Sequence, residues 1–438
     1  MNKIFIYVKA CSRRALDAAK VRDYLLENGY DLVENPKDAD TIILFTCGGD
    51  DRIAKISLDN TRYFQKYKAE LIVAGCLPDI ETNKLSKIFN GKTLTTKELD
   101  KKIETIFPPK NKISFSKIAE ANITFRNIYE NHILLAARKI ITNAKPIEKL
   151  YLKLEHHILS NFLGKDTFLY RLYLLRKDEF FILISRGCLG NCTYCGIKNA
   201  VGKLKSKPLN QCVEEFKIGL EEGFNKFIIS AEDSGAYGLD INCSIVELLD
   251  IVTDFPGNYQ ISIDDFAVRW AVKYIDDLER IFKKGKISDI AIPIQSGSSR
   301  ILKLMNRYSD VEKIKNIFYR LNRTYPNIKI STHYILGFPT ETWDDFIQTL
   351  LLIIEMDIKE GLIFKFSCKE GTEAEKIEPK ISVKEINKRW RYANNFFKKA
   401  GYYVICKKDI FMFAKIIEKQ NISNNSKQTR YIKIGAIK

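Results

Sequence analysis

Apolar residues fall in short runs of strand length along two stretches of the chain. Between Ile4 and about Lys87 the runs IFIYV, TIILFT and ELIVAG alternate with helical periodicity, from Ala15 to Asn28 and from Asp51 to Tyr67. That alternation predicts βαβ units and a parallel sheet, because two parallel strands must be joined by a crossover, commonly a helix. The same rhythm returns later, with FFILIS at 180, KFIIS at 226, YQISI at 259, ISDIAI at 287, IKISTHYI at 328 and GLIFKFS at 361, each followed by a helical pattern. Six such repeats predict an α/β molecule with a small open parallel-sheet N-terminal domain and a (β/α)6 partial barrel. In such folds the chemistry sits on loops leaving the C-terminal ends of the strands.

Between the two stretches Pro108-Pro109 closes the first unit. The roughly 65 residues that follow carry helical periodicity in NIYENHILLAARKIITNA and IEKLYLKLEHHILSNFL. The expected organisation is therefore 1–107, an N-terminal domain; 108–178, a helical insertion; 179–399, the partial barrel; and 400–438, a basic tail with weak strand character.

Composition narrows the function. The chain has 438 residues, 45% of them apolar, and 71 basic against 54 acidic side chains, a formal charge of +17. Such a chain is globular, and its charge favours a polyanionic partner such as nucleic acid, although a lysine-rich composition also follows from an AT-rich genome. Basic residues in the insertion (Lys110, Lys112, Lys117, Arg126, Arg138, Lys139, Lys149, Lys153) fit an RNA-facing surface or an ordinary solvated helix face. The start MNKIFIYVKACSRRALD reaches charge too early for a secretory segment, and no stretch approaches ~20 uninterrupted apolar residues. A cytoplasmic protein without membrane contact is expected. In that reducing compartment ten cysteines point to metal or redox work rather than disulfides.

The segment Ser185-Arg-Gly-Cys188-Leu-Gly-Asn-Cys192-Thr-Tyr-Cys195 puts three thiols in one loop after the first barrel strand, spaced Cys-x3-Cys-x2-Cys, with Gly187 and Gly190 to let the backbone wrap. A structural zinc site would want a fourth Cys or His close by. Three ligands suit a four-iron cluster with one iron left open. Spacing, position and Tyr194 before the last cysteine are those of the radical S-adenosylmethionine enzymes.

Further motifs follow in order: Ile229-Ser-Ala-Glu-Asp233 with Tyr237-Gly-Leu-Asp240, Pro293-Ile-Gln-Ser-Gly-Ser298 with Leu302-Lys-x-Met305, Gly337-Phe-Pro-x-Glu341, and Phe366-Ser-x-x-x-Gly371-Thr-x-Ala374. Together they resemble the radical S-adenosylmethionine methylthiotransferases over most of the chain. The resemblance implies that Cys188, Cys192 and Cys195 hold a 4Fe-4S cluster whose open iron binds S-adenosyl-L-methionine, the source of a 5′-deoxyadenosyl radical. Glu232 and Asp233 offer carboxylates to an ammonium group, and Gln295, Ser296 and Ser298 offer polar groups to a ribose or carboxylate; ordinary loop capping is the alternative for each. Tyr194 completes the expected cofactor-binding set.

Cys11, Cys47 and Cys76 each end a predicted strand of the small sheet, so folding should bring them to one edge. In the family such cysteines hold an auxiliary 4Fe-4S cluster that carries the sulfur to be inserted, making two clusters in all. Cys212, Cys243, Cys368 and Cys406 match no motif and are expected to be packing residues.

The chain departs from the family pattern at Arg14, in place of the usual Asn; at Gly48-Gly49; at Val201-Gly202 and Ser206-Lys207; and at Ala231, Ala291 and His333. Both sets of cysteines are untouched by these changes. Residues 400–438 are too few for the small β-barrel RNA-binding domain that usually ends the family, and the insertion and tail are expected to supply basic charge instead. The resemblance implies conversion of a C–H to C–S–CH3 on a modified adenosine of tRNA, with a protein or peptide side chain as the alternative substrate. It also implies an electron donor such as flavodoxin or ferredoxin.

Overall fold

The computed structural model describes residues 3–125, 179–406 and 411–415. The first unit is a five-stranded parallel sheet with strands β1 (Lys3–Lys9), β2 (Asp31–Leu32), β3 (Thr41–Thr46), β4 (Glu70–Gly75) and β5 (Lys92–Thr95) in the order β2-β1-β3-β4-β5. Alternation along β1 divides its side chains between two cores. Ile4, Ile6 and Val8 face helix α1 (Ser12–Glu27), packing with Val21 and Tyr24, while Phe5 joins Leu44, Leu71 and Phe64 of helix α2 (Asp51–Phe64). The central β3 is buried along its whole length, which is why it reads as an unbroken apolar run.

The second unit is an eight-stranded sheet. Six parallel strands come first: β6 (Phe180–Leu183), β9 (Lys226–Ser230), β10 (Gln260–Ile263), β11 (Ile287–Ala291), β12 (Lys329–Leu336) and β13 (Glu360–Lys365) lie side by side in chain order. A two-residue ribbon, β7 (Ser185–Arg186) against β8 (Lys205–Ser206), closes the loop after β6. Among the described residues no helix is long and apolar enough to cross a membrane.

The structure corrects the expected boundaries at two places. Residues 108–125 belong with the first unit: Phe115 is buried in its core, Tyr24 and Tyr30 donate hydroxyls to the carbonyls of Phe107 and Pro108, and the Phe125 N–H donates to the Ala15 carbonyl. At the other end, β15 (Phe411–Lys415) pairs antiparallel with β13 and β14 (Tyr402–Cys406) pairs antiparallel with β15, so these residues extend the barrel sheet instead of starting a separate tail. Phe411 and Phe413 bury against Trp390 and Phe397, an aromatic contact that a sequence pattern does not display. The basic positions Arg126, Arg138, Lys139, Lys149 and Lys153, and the chain from 416 onward, lie outside the described residues.

The two units pack directly. Leu16 of α1 sits among Phe181, Leu183 and Ile228 of the barrel, and Asn122 exchanges two hydrogen bonds with the Phe181 backbone.

Candidate functional site

Strand register brings the first three cysteines together. Lys9, Thr46 and Gly75 are aligned across β1, β3 and β4, so Cys11, Cys47 and Cys76, lying just beyond these residues, emerge at one sheet edge. Cys11 stands immediately before α1 and Cys76 immediately before the short helix α3 (Leu77–Ile80). The Cys47 backbone is fixed by Ser57, whose hydroxyl accepts from its N–H at 3.1 Å and donates to its carbonyl at 2.9 Å. A hydrogen bond from Cys47 lowers the Cys11 thiol to about 5 against the effect of burial, with help from Arg13 and Arg14; the same contact and burial push Cys47 up. Burial also raises Cys76.

The second triad follows β6. Gly187 adopts φ 78°, where a Cβ would fall 2.0 Å from the Lys203 carbonyl oxygen, so only glycine lets the chain turn beneath the β7–β8 ribbon. The Gly190 N–H points at Cys188 Sγ at 3.1 Å, and a Cβ on Gly190 would lie 3.2 Å from that sulfur and 3.7 Å from Cys192 Sγ. Arg307 reaches Cys192 Sγ at 3.6 Å. Thr193 is pinned by the carbonyls of Met305 and Leu304, and its own carbonyl accepts from Ala374 N–H. Tyr194 packs beside Met305, Phe338 and Ala374, giving the later motifs a common task of holding this loop. Burial pushes Cys188 up to about 12, a balance that a bound cation reverses by stabilising the thiolate.

The donor set fits iron–sulfur ligation: three thiols on a glycine-containing loop, with a backbone N–H and a guanidinium turned to the sulfurs. Among the described residues no three His, Cys, Asp or Glu side chains gather as a single metal ion would require; a four-iron cluster instead takes its thiolates on separate irons.

The expected cofactor contacts behave unequally. Asp233 is 3% exposed and already accepts from Arg269 (2.9 Å) and Trp270 Nε1 (2.9 Å), and Ser298 caps its helix while donating to Asp345 at 2.5 Å. Ser296 is buried against Thr349 at 3.3 Å. These three shape loops through bonds within the protein. Gln295 is held at φ 81° by backbone bonds to His333 and Ile335, a strained conformation of the kind that concentrates at ligand sites. Glu232 accepts from the Gly187 N–H at 3.1 Å and meets Arg13 and Arg14, each at 3.5 Å.

The first triad borders the helix that follows the second. Cys76 and Ile80 share an apolar cluster with Ile197, Ala200 and Val201 of the helix that follows Cys195. Lys369, 2% exposed, clamps the same seam by donating to Glu81 at 2.7 Å and Asp51 at 3.2 Å.

Comparison with known proteins finds a match on each of the two units. The radical SAM superfamily matches residues 182–353, and the uncharacterized protein family UPF0004 matches residues 3–96. A Pyrococcus horikoshii protein named "Probable threonylcarbamoyladenosine tRNA methylthiotransferase" is 25% identical over 86% of this chain and 79% of its own. The "tRNA-2-methylthio-N(6)-dimethylallyladenosine synthase" of Clostridium botulinum is 28% identical over 89% and 80%. The chain belongs to the radical S-adenosylmethionine methylthiotransferases. With the family come its cofactors, S-adenosylmethionine and 4Fe-4S clusters. The fold is shared with the radical S-adenosylmethionine methyltransferase TsrM of Kitasatospora setae, at TM-score 0.56 and 11% identity over 85% of this chain and 77% of that one.

In this methylthiotransferase Arg13, Arg14, Arg307 and Lys369 had no signal in the sequence beyond the unusual residue at position 14, because a cation that will be buried looks like any surface cation. Cys212 is buried and Cys243 and Cys406 pack against the core as expected, whereas Cys368 is exposed.

Proposed function

We infer that this methylthiotransferase acts on tRNA, converting a C–H of an N6-modified adenosine to C–S–CH3. The observation that carries the reading is that Cys76 of one cysteine triad packs against the helix that follows the other, in a chain aligned over most of its length with proteins named for tRNA methylthiolation. Cys188, Cys192 and Cys195 are assigned to the radical-generating cluster and Cys11, Cys47 and Cys76 to the auxiliary one. When bound, these groups supply reductive cleavage of S-adenosylmethionine and the sulfur to be inserted.

The chain's own residues position and exclude. The Gly190 N–H and Arg307 direct positive charge at the sulfurs, and the packing of Tyr194 with Phe338 closes one side of the loop to water. Gln295, with its strained backbone between β11 and β12, stands at the strand ends where S-adenosylmethionine would lie. An electron donor such as flavodoxin or ferredoxin completes the reading.

Mass spectrometry of tRNA nucleosides from cells with and without the gene provides the test. A methylthioadenosine derivative that disappears with the gene is expected. Unchanged nucleosides alongside a methylthiolated peptide that disappears would transfer the assignment to a protein substrate.

A further inference from the structure

Arg14 is 1% exposed, and its three guanidinium nitrogens meet three different partners. Nη1 donates to Cys76 Sγ at 3.4 Å, and Nη2 reaches Glu232 Oε1 at 3.5 Å. Nε lies 2.7 Å from Asp17 Oδ2 in a charge contact without hydrogen-bond alignment. Glu232 accepts in turn from the Gly187 N–H, one residue before Cys188. A continuous polar path therefore runs from Cys76 on the first unit to the Cys188 loop on the barrel.

We propose that Arg14 is a positioning residue that raises the reduction potential of the cluster held by Cys11, Cys47 and Cys76 while tying its ligand loop to the barrel. The inference rests on the assignment of those cysteines to a cluster. Reduction adds one electron, so a buried cation with an N–H aimed at a ligating sulfur stabilises the reduced form more than the oxidised one. Burial strengthens the effect by keeping water from screening it. The carboxylates around Arg14 do not depend on it alone: Asp17 also meets Arg186 at 2.5 Å, and Glu232 also meets Arg13. Removing Arg14 leaves both carboxylates with an arginine and takes the guanidinium from Cys76 and its charge from the neighbouring Cys11, two ligands of the same cluster. Lysine is not equivalent, since one ammonium cannot span a sulfur and two carboxylates as the planar fork does.

The test uses full-length protein carrying Cys188→Ala, Cys192→Ala and Cys195→Ala, reconstituted anaerobically so that only the auxiliary site can load. Iron content is measured first. The midpoint of the one-electron couple is then followed by electron paramagnetic resonance while dithionite supplies electrons. With Arg14→Leu in this background, about four irons should remain, and the midpoint should fall by at least one decade of the equilibrium, 59 mV for one electron. Arg14→Lys should shift it the same way by less. An unchanged midpoint in a fully loaded Arg14→Leu protein overturns the proposal. If Arg14→Leu loses its iron, Arg14→Lys decides: a lowered midpoint supports the role and a wild-type midpoint overturns it. A background protein with Arg14 intact that binds no iron overturns the cluster assignment itself, and the inference with it.

Discussion

At the scale of single residues the site is built from thiols whose neighbours differ. Cys11 is lowered to about 5 by its hydrogen bond with Cys47, helped by Arg13 and Arg14, while burial drives Cys188 in the opposite direction. The two triads stand on different units and should be separable by mutation. Replacing Cys188, Cys192 and Cys195 with alanine should leave about four irons bound and remove 5′-deoxyadenosine formation. Replacing Cys11, Cys47 and Cys76 should leave cleavage of S-adenosylmethionine in place and abolish methylthiolated product. Iron analysis and chromatography of the cleavage product check both arms, and cleavage surviving loss of the barrel triad would refute the assignment.

At the scale of elements, the register of β1, β3 and β4 decides whether three distant thiols can meet. Gly75 ends β4 at φ 97°, and a Cβ there would fall 2.3 Å from the Thr46 carbonyl oxygen, the residue before Cys47. That neighbour is backbone and cannot swing aside. Gly75→Ala is expected to cost about 2–4 kcal/mol through backbone strain and displacement of the β3 terminus. It should also reduce the iron bound through Cys11, Cys47 and Cys76 more than that of the barrel triad. Denaturation midpoints and iron content of Gly75→Ala in each triple-alanine background measure the two effects; equal losses at both sites would contradict the local explanation.

At the scale of the whole molecule, the junction of the two units is held by apolar packing around Leu16 and Phe181 and by ion pairs that water only partly reaches. Glu120 accepts from Lys20 of α1 at 2.6 Å and from Arg186 of the barrel at 3.2 Å, with Lys207 and Glu215 also facing it. Burial alone would raise its carboxyl, but Arg186, Lys20 and Lys207 outweigh that and hold it at about 2. A depressed folded value means a stabilising contribution that is complete above the ordinary carboxyl range and lost as pH falls from about 4.5 towards 2. Its size is of order 1–3 kcal/mol. Glu120→Gln should accordingly be less stable than wild type at pH 7, with the difference shrinking as pH falls through that window. Urea denaturation of both proteins across the range measures it, and a gap that stays constant in acid would argue against the linkage.

Much of this protein could be read from its sequence, because strands buried on both faces must be apolar and their helices must return to the same sheet. The runs at 4, 41 and 70 and the six from 180 to 361 became strands in the expected order, and the Cys188 loop fell after the first barrel strand. Local spacing pointed to that triad, since its three cysteines share eight residues. Tertiary structure alone decided what depended on distant partners. The two-residue β2 and the polar β5 carry too little apolar signal to stand out, and β14 and β15 gain their stability from aromatic packing on the preceding helix. Serines at 296 and 298 look free in the sequence, yet the fold commits their hydroxyls to Thr349 and Asp345. Arg14 becomes significant only when α1 packs against the barrel and places one guanidinium between Cys76 and Glu232, residues 62 and 218 positions away along the chain. A buried charge persists only where the whole fold supplies its counter-charges, so such contacts are visible only once the chain has closed around them.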